Sequence, residues 1–305
     1  MSIYASNVFA TQMTNLVKAT YLDYAKLMNT TRKVSGIIGG TYEFINAGYN
    51  LAREVTSGEA VQPNNTKFNK IQVILKDYAS ADYTNIFDKP KMTFDEINYL
   101  SKSISGALGR KIDQIILDTI TATVPVNTKP TIDNPNVAIL KGDGTFPTSA
   151  TTPVAADRVA FSLSALRKAS SIMNDLGVPS MGRAFVLTPA ALEALLADTT
   201  VTSTDYNTVK ALVTGELDTY VGFKIIFIGQ RPDGGLPPSI YTTGANGGTA
   251  YAYHEDSIGM VTAMEPKVLV NYIADKRSYL VDGTVSAAAG VIDKNGIIKI
   301  IHGSV

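Results

Sequence analysis

With 305 residues, 45% hydrophobic and 18% charged, the chain can build one large or two modest domains around a sizeable core. Its 27 basic and 27 acidic residues cancel, which argues against a protein whose main task is gripping nucleic acid. Without cysteine and with only His254 and His302, it is excluded from disulfide, thiolate-metal, cysteine-nucleophile and His-rich metal chemistry. No apolar run reaches the ~18 residues of a membrane span. The opening MSIYASNVFATQMTNLVKA lacks a basic-then-apolar signal pattern, so a protein made and used without export, from which no propeptide is removed, is expected.

Residues Asn7 to Met28 read as an amphipathic helix, with Phe9, Met13, Leu16, Val17, Tyr21, Tyr24, Leu27 and Met28 recurring at steps of three and four. Gly36, Gly39 and Gly40 follow, so this helix is either packed at home or an arm that docks on another subunit. From Thr41 the period changes to two. TYEFI is a strand, and KIQVILK (Lys70 to Lys76) a second, with Ile71, Val73 and Leu75 alternating against polar neighbours. The polar segment between them is long for a compact domain. It is a loose hairpin tip or a two-stranded extension, and an extension would have to rest on a neighbour because an isolated hairpin is marginal in water.

The longest helical pattern runs from Thr93 to Thr123. Phe94, Ile97, Leu100, Ile104, Ala107, Leu108, Ile112, Ile115, Ile116 and Ile120 fall on one face. Thr93 and Glu96 have the spacing of a capping box, and Pro125 marks the end. Gly106 and Gly109 each cost about 1 kcal/mol relative to alanine, at a spacing that would admit another backbone.

Val124 to Pro153 is polar and Pro-rich and reads as the clearest internal boundary. An α/β block follows: a helix from Asp157 to Leu176 closed by Gly177, a buried strand RAFVL, and a helix opened by Thr188-Pro189 and running through Ala197. Asp198 to Tyr220 is polar with a short helical piece from Tyr206, and FKIIFIG is an apolar strand. The last quarter reads as strands near Met260 to Met264, Lys267 to Ile273, Tyr279 to Val281 and Ile297 to Ile301. Asp293 to Gly296 reads as a hairpin turn. The fold class is α+β with an interrupted order.

Candidates for chemistry are weak. There is no phosphate-binding G-x-x-x-x-G-K-S/T, no G-x-S-x-G and no H-E-x-x-H. His254-Glu255-Asp256 reads as a satisfied surface histidine, because sequence neighbours on a strand face apart. Asp113 and Asp118 fall on different sides of the long helix and read as solvated. Asp293 to Gly296 starts like a calcium loop but lacks the downstream glutamate. No catalytic, cofactor or metal residue is assigned.

Several stretches, in order, resemble the major capsid proteins of tailed bacteriophages with the Hong Kong 97-type fold. They are MSIYASNVFA, NIFDKPKMTFDEINYLSKSISGALGRKIDQIILDTI, LRKASSIMNDLGVPSMGRAFVLTPAALEALLAD, GELDTYVGFKIIFIGQRP and AYHEDSIGMVTAMEPKV. Residues 124–153 and 231–249 match least. The resemblance implies an N-terminal arm (1–40), an extended loop (41–80), a peripheral domain with a long spine helix (81–150 and 262–305) and an axial domain (151–261). It implies self-assembly, as hexamers and pentamers, into an icosahedral shell around a double-stranded DNA genome.

Implied partners are further copies of the chain, a scaffolding protein, a portal at one vertex and DNA held non-specifically, with no membrane. The place is the virion, assembled in the host bacterial cytoplasm. A neutral wall suits this role, because a strongly basic lining would hold the DNA by counterion release. Implied inter-subunit contacts are Arg53, Glu54, Glu59, Lys67 and Lys70 from the loop, Phe9 and Met13 from the arm, and Tyr206 near the capsomer centre. Some members of the fold cross-link a loop lysine to a neighbour's asparagine. No partner for Lys67 or Lys70 is identifiable, so that chemistry is not carried over. An encapsulin-type compartment shell is the alternative within the fold, and a soluble α+β enzyme the alternative outside it.

Overall fold

The computed structural model describes residues 26–48, 50, 52–60, 63–88, 91, 95–131, 134–149, 157, 159–197, 219–231, 233–236 and 248–303. Its longest helix, α1 (Glu96–Ala122), has 27 residues and so spans about 40 Å. The cap is Asp95, whose carboxylate accepts the Asn98 N–H at 3.4 Å. Thr93 lies outside the described residues. Glu96 is the first helical residue, so the expected capping box does not form: its acid must sit at the third position to reach back. The expected stripe is buried from Ile104 to Ile120 except for half-buried Ala107, with Gly106 and Gly109 buried on the same rod. Leu117, off the stripe, is fully buried as well.

That extra burial follows from two sheets meeting at α1. One sheet has the order β1 (Arg32–Ser35), β11 (Ile258–Ile273), β12 (Ser278–Val291), β4 (Lys76–Asn85). The other has the order β5 (Pro125–Val126), β6 (Val137–Lys141), β13 (Ile297–His302), β10 (Gly248–His254), β7 (Arg183–Leu187), β9 (Phe223–Phe227), β8 (Thr219–Tyr220). Met260, Val285 and Ala287 of the first sheet share one apolar cluster with Val186, Tyr251, Tyr253 and Ile297 of the second and with the buried face of α1. Helices α2 (Leu163–Asp175) and α3 (Pro189–Ala197) cover the opposite face of the second sheet through Leu166, Ala169, Met173, Ala191 and Leu195.

Several sequence expectations change here. The Pro-rich stretch from Val124 carries β5 and β6, which join the second sheet through parallel pairing with β13. VAILK is too short to stand out among its polar neighbours. Strand β4 is an edge strand of mixed polar residues and alanines, with little alternation to read. Asp293 to Gly296 is not a hairpin turn: β12 and β13 lie in different sheets, and the turn hands the chain between them. The helix expected from Asp157 begins at Leu163, and Asp157 is instead buried in an ion pair with Lys141 at 3.2 Å.

Asp113 is not solvated. It is 2% exposed, and its two carboxylate oxygens accept the backbone N–H groups of Lys26 and Leu27, each at 3.0 Å. Lys26 Nζ donates to Phe227 O at 3.0 Å, and Tyr253 O–H donates to Thr30 Oγ1 at 2.6 Å, since the Thr30 hydroxyl proton goes to Leu27 O. These bonds clasp the chain leading from the N-terminal segment onto α1, β9 and β10. Only the last three residues of the expected first helix, Lys26 to Met28, are described, and Met28 opens a single 3-10 turn. Among the described residues no helix is long and apolar enough to cross a membrane.

Two predictions follow from the buried polar groups. Asp113→Ala strands two N–H groups that bond to a charged acceptor, so it should cost about 3 kcal/mol in urea unfolding. Asp113→Asn, which keeps one acceptor oxygen, should cost less. His302 is buried. It donates from Nδ1 to Gly303 O and accepts the Thr188 hydroxyl at Nε2, a neutral arrangement. Burial pushes its pKa below the ordinary 6.5. As pH falls through that ordinary value the unfolded chain gains a proton that the folded one refuses, so stability should drop with acidification. His302→Gln should remove that part of the slope in pH-dependent melting curves.

Candidate assembly surface

Strands β2 (Thr41–Ala47) and β3 (Phe68–Ile74) form the expected antiparallel ribbon, in register from Thr41 opposite Ile74 to Ala47 opposite Phe68. A two-stranded ribbon needs a surface to lie on. Its inward face, Tyr42, Phe44, Ile71 and Val73, packs on Val261 and Ala288 of the four-stranded sheet. This is the face opposite α1, because neighbouring residues on a strand point to opposite sides.

The contact depends on a hollow. Gly259 and Gly290 pair across β11 and β12. A Cβ at Gly259 would lie 2.3 Å from the Phe44 ring, and one at Gly290 would lie 2.5 Å from Val73 Cγ2. The glycine pair is the socket that receives the root of the ribbon.

Beyond the root the ribbon extends into a loop whose described residues from Asn50 to Asn65 are exposed. The loop is tied within itself. Arg53 pairs with Glu59 at 3.0 Å, Asn50 bonds Thr66 at 2.6 Å, and the Gly48 N–H donates to Lys67 O at 2.7 Å. Lower down, Lys70 pairs with Glu43 at 3.1 Å across the strands. Of the loop residues expected to contact a neighbour, Arg53, Glu59 and Lys70 are therefore engaged inside the ribbon. Such exposed pairs are worth at most about 1 kcal/mol. Glu54 and Lys67 are exposed. Phe9, Met13 and Tyr206 lie outside the described residues.

The outward face carries a set of residues that the sequence reading passed over. Ile45, Phe68 and Ile74 are 62%, 66% and 62% exposed. They alternate with Glu43, Lys70 and Gln72 on that face, so local periodicity gives them no separate signal. The outer face of the ribbon is thus mixed, with Ile45, Phe68 and Ile74 exposed beside the Lys70–Glu43 pair and Gln72.

Elsewhere the chemistry is structural. His254 is buried, not at the surface: its Nε2–H donates to Met181 O at 2.8 Å and its Nδ1 accepts the Asp256 N–H at 3.2 Å. A 3-10 turn from Glu255 to Ser257 folds Asp256 back to it. A cavity of about 430 Å³ beside Met181, Lys224 and Glu255 is walled in part by Arg183. That guanidinium is committed to Pro179 O, Val178 O and Asn174 Oδ1. Among the described residues no three His, Asp or Glu side chains converge as metal ligands.

The described residues thus build a helix gripped by two sheets, with an extended ribbon held out from one of them. The model of the family described as Phage capsid protein matches residues 5–303. The chain belongs to that family, and its fold is the mixed α+β fold of the Hong Kong 97 type. Among solved structures it is similar to the capsid of Cyanophage P-SCSP1u, with 17% identity and a TM-score of 0.70 over 98% of this chain and 94% of that one. It is also similar to the head of Helicobacter pylori bacteriophage KHP40, with 9% identity and a TM-score of 0.69 over 96% and 95%. No curated protein sequence matches.

The glycine socket makes a direct prediction. Gly259→Val should eject Phe44 and raise the rate of proteolytic cutting within the ribbon, with the rest of the subunit still folded. Phe44→Ala in the same chain should restore part of the protection. Unchanged cutting in Gly259→Val would show that the socket does not hold the ribbon.

Proposed function

We propose that this capsid protein is the major subunit of a tailed-phage head and self-assembles, as hexamers and pentamers, into the icosahedral shell around a double-stranded DNA genome. The observation that carries the reading is the ribbon with an uncovered outer face. Ile45, Phe68 and Ile74 lie against a neighbouring copy, with Glu54 and Lys67 at the margin of that contact and the paired Arg53, Glu59, Lys70 and Glu43 stiffening the ribbon. Phe9 and Met13 serve an N-terminal arm that reaches along an adjacent subunit from the Asp113 clasp. Tyr206 lies toward the capsomer centre.

In this reading α1 and the four-stranded sheet form the peripheral domain. The seven-stranded sheet with α2 and α3 forms the axial domain, and β5, β6 and β13 go with it rather than with the peripheral one. The role is structural and the protein is a component of the virion, assembled in the host bacterial cytoplasm. A scaffolding protein guides assembly, a portal occupies one vertex, and DNA is touched non-specifically by a wall of zero net charge. Membership of a phage capsid family favours this over an encapsulin-type compartment or a soluble enzyme.

The combined variant Ile45→Ser, Phe68→Ser, Ile74→Ser tests it. The subunit should keep its melting temperature and circular dichroism, because these side chains are exposed, yet form no closed particles by sedimentation or electron microscopy. Wild-type particle yield would contradict the proposal. Removing residues 50–65 should likewise spare folding and impair assembly. Loss of folding in the isolated subunit would count against an extended, self-tied loop.

A further inference from the structure

The four-stranded sheet has one edge that is only half occupied. Strand β1 pairs with β11 from Gly259 to Thr262, and among the described residues no strand pairs with the outer edge of β11 beyond that point. As far as Lys267 the edge is guarded. Register shifts fall between Thr262 and Met264 and between Met264 and Lys267, with Pro266 and the exposed charges of Glu265 and Lys267 beside them. Bulges, proline and charge are the means by which an edge refuses another strand. After Lys267 these devices stop. The strand runs in unbroken register with β12 to Ile273, and Leu269, Val270 and Tyr272 are exposed on it. A flat apolar edge is a template for one more strand. The opposite edge of the sheet, β4, keeps its guards in Lys76, Asp77 and Asp82.

We propose that the added strand is the same stretch of β11 from a second copy, paired antiparallel about a two-fold axis through Asn271, so that two four-stranded sheets join into one of eight. This rests on the reading that copies of the chain assemble, and it adds a contact separate from the outer face of the ribbon. The edge is complementary to itself in this register. Leu269 falls opposite the partner's Ile273, and Val270 opposite the partner's Tyr272. Asn271 faces the partner's Asn271, and each amide offers both a donor and an acceptor. Further out, Lys267 comes level with the partner's Asp275, and Glu265 with the partner's Arg277. These four side chains are exposed and engage no other group among the described residues. A register centred on Val270 would instead set Glu265 against the partner's Asp275, and like charges placed opposite each other repel. The join also leaves room for the helices. Ile104 and Leu108 of α1 sit over Gly283 of β12. The two copies of α1 therefore stand three strand spacings apart, about 14 Å, beyond the ~8–10 Å of helices in contact. The partner's hairpin turn comes level with Glu265 and stops short of Thr262, where β1 ends.

The chain has no cysteine, so one introduced thiol reports on one position. In Asn271→Cys the two thiols face each other across residues about 4.5–5.5 Å apart at Cα, within disulfide range. Oxidation of the full-length protein with copper phenanthroline should convert most subunits to covalent dimers on non-reducing gels. In Leu269→Cys the thiols lie about 14 Å apart along the strands and should cross-link several-fold more slowly. Adding Lys267→Asp to Asn271→Cys sets like charges opposite each other and should slow cross-linking several-fold, and adding Asp275→Lys as well should restore it. No dimer in Asn271→Cys, equally fast cross-linking in Leu269→Cys, or a charge swap without rescue would each overturn the proposal. Electron microscopy of the same samples keeps the shell reading separate. Particles without cross-links would overturn this contact alone, and cross-links without particles the shell alone.

Discussion

Burial of one helix against two sheets at once is the constraint from which the rest of the subunit follows. Leu108, Ile112, Ile116, Leu117 and Ile120 are each almost fully buried in a single cluster that both sheets share. Each such side chain contributes about 1.5–3 kcal/mol. A helix so placed cannot shift against one sheet without losing contacts to the other. Asp113 adds a polar lock at the middle of the same helix, and the chain from the N-terminal segment is tied to it. Helix, sheets and the chain at Lys26 and Leu27 are therefore fixed to one another.

The four-stranded sheet transmits that rigidity outward, because glycines leave room on both of its faces. On one side, a Cβ at Gly283 would lie 2.3 Å from Ile104 Cγ2, so α1 settles closely on β12. On the other side, Gly259 and Gly290 receive Phe44 and Val73. The ribbon is thus fixed at its root by close packing and held along its length by strand pairing, exposed ion pairs and the Asn46 amide on Ile292 O. Its outer face leaves Ile45, Phe68 and Ile74 exposed, which suits the proposed contact with other copies.

Much of this was legible in the chain. The stripe from Ile104 to Ile120, the alternation in β2 and β3, and the Thr188 cap, whose Oγ1 accepts the Ala191 N–H at 3.1 Å, all follow from local periodicity and turn chemistry. What escaped depends on contacts distant in sequence. Nothing near Asp113 announces that Lys26 and Leu27 will bring their N–H groups to it. Asp293 to Gly296 has a hairpin's composition, and only the partners of β12 and β13 decide that it joins two sheets. The glycines at 259 and 290 lie 31 residues apart and become a socket only once β11 and β12 pair. The outer face of the ribbon was missed for another reason. Period-two alternation shows that two faces differ, but it does not show that the second face is wet.

Membership of a phage capsid family gives an extended ribbon on an otherwise compact α+β core a place to act. In the proposed shell, the exposed Ile45, Phe68 and Ile74 lie at a contact between copies. An electron cryomicroscopy reconstruction of the assembled particle tests this most directly. The account predicts that Ile45, Phe68 and Ile74 are buried against a neighbouring copy while Phe44 and Val73 remain seated on Gly259 and Gly290 of their own chain. A shell in which that outer face is open to solvent, or in which the ribbon leaves its own socket, would contradict it.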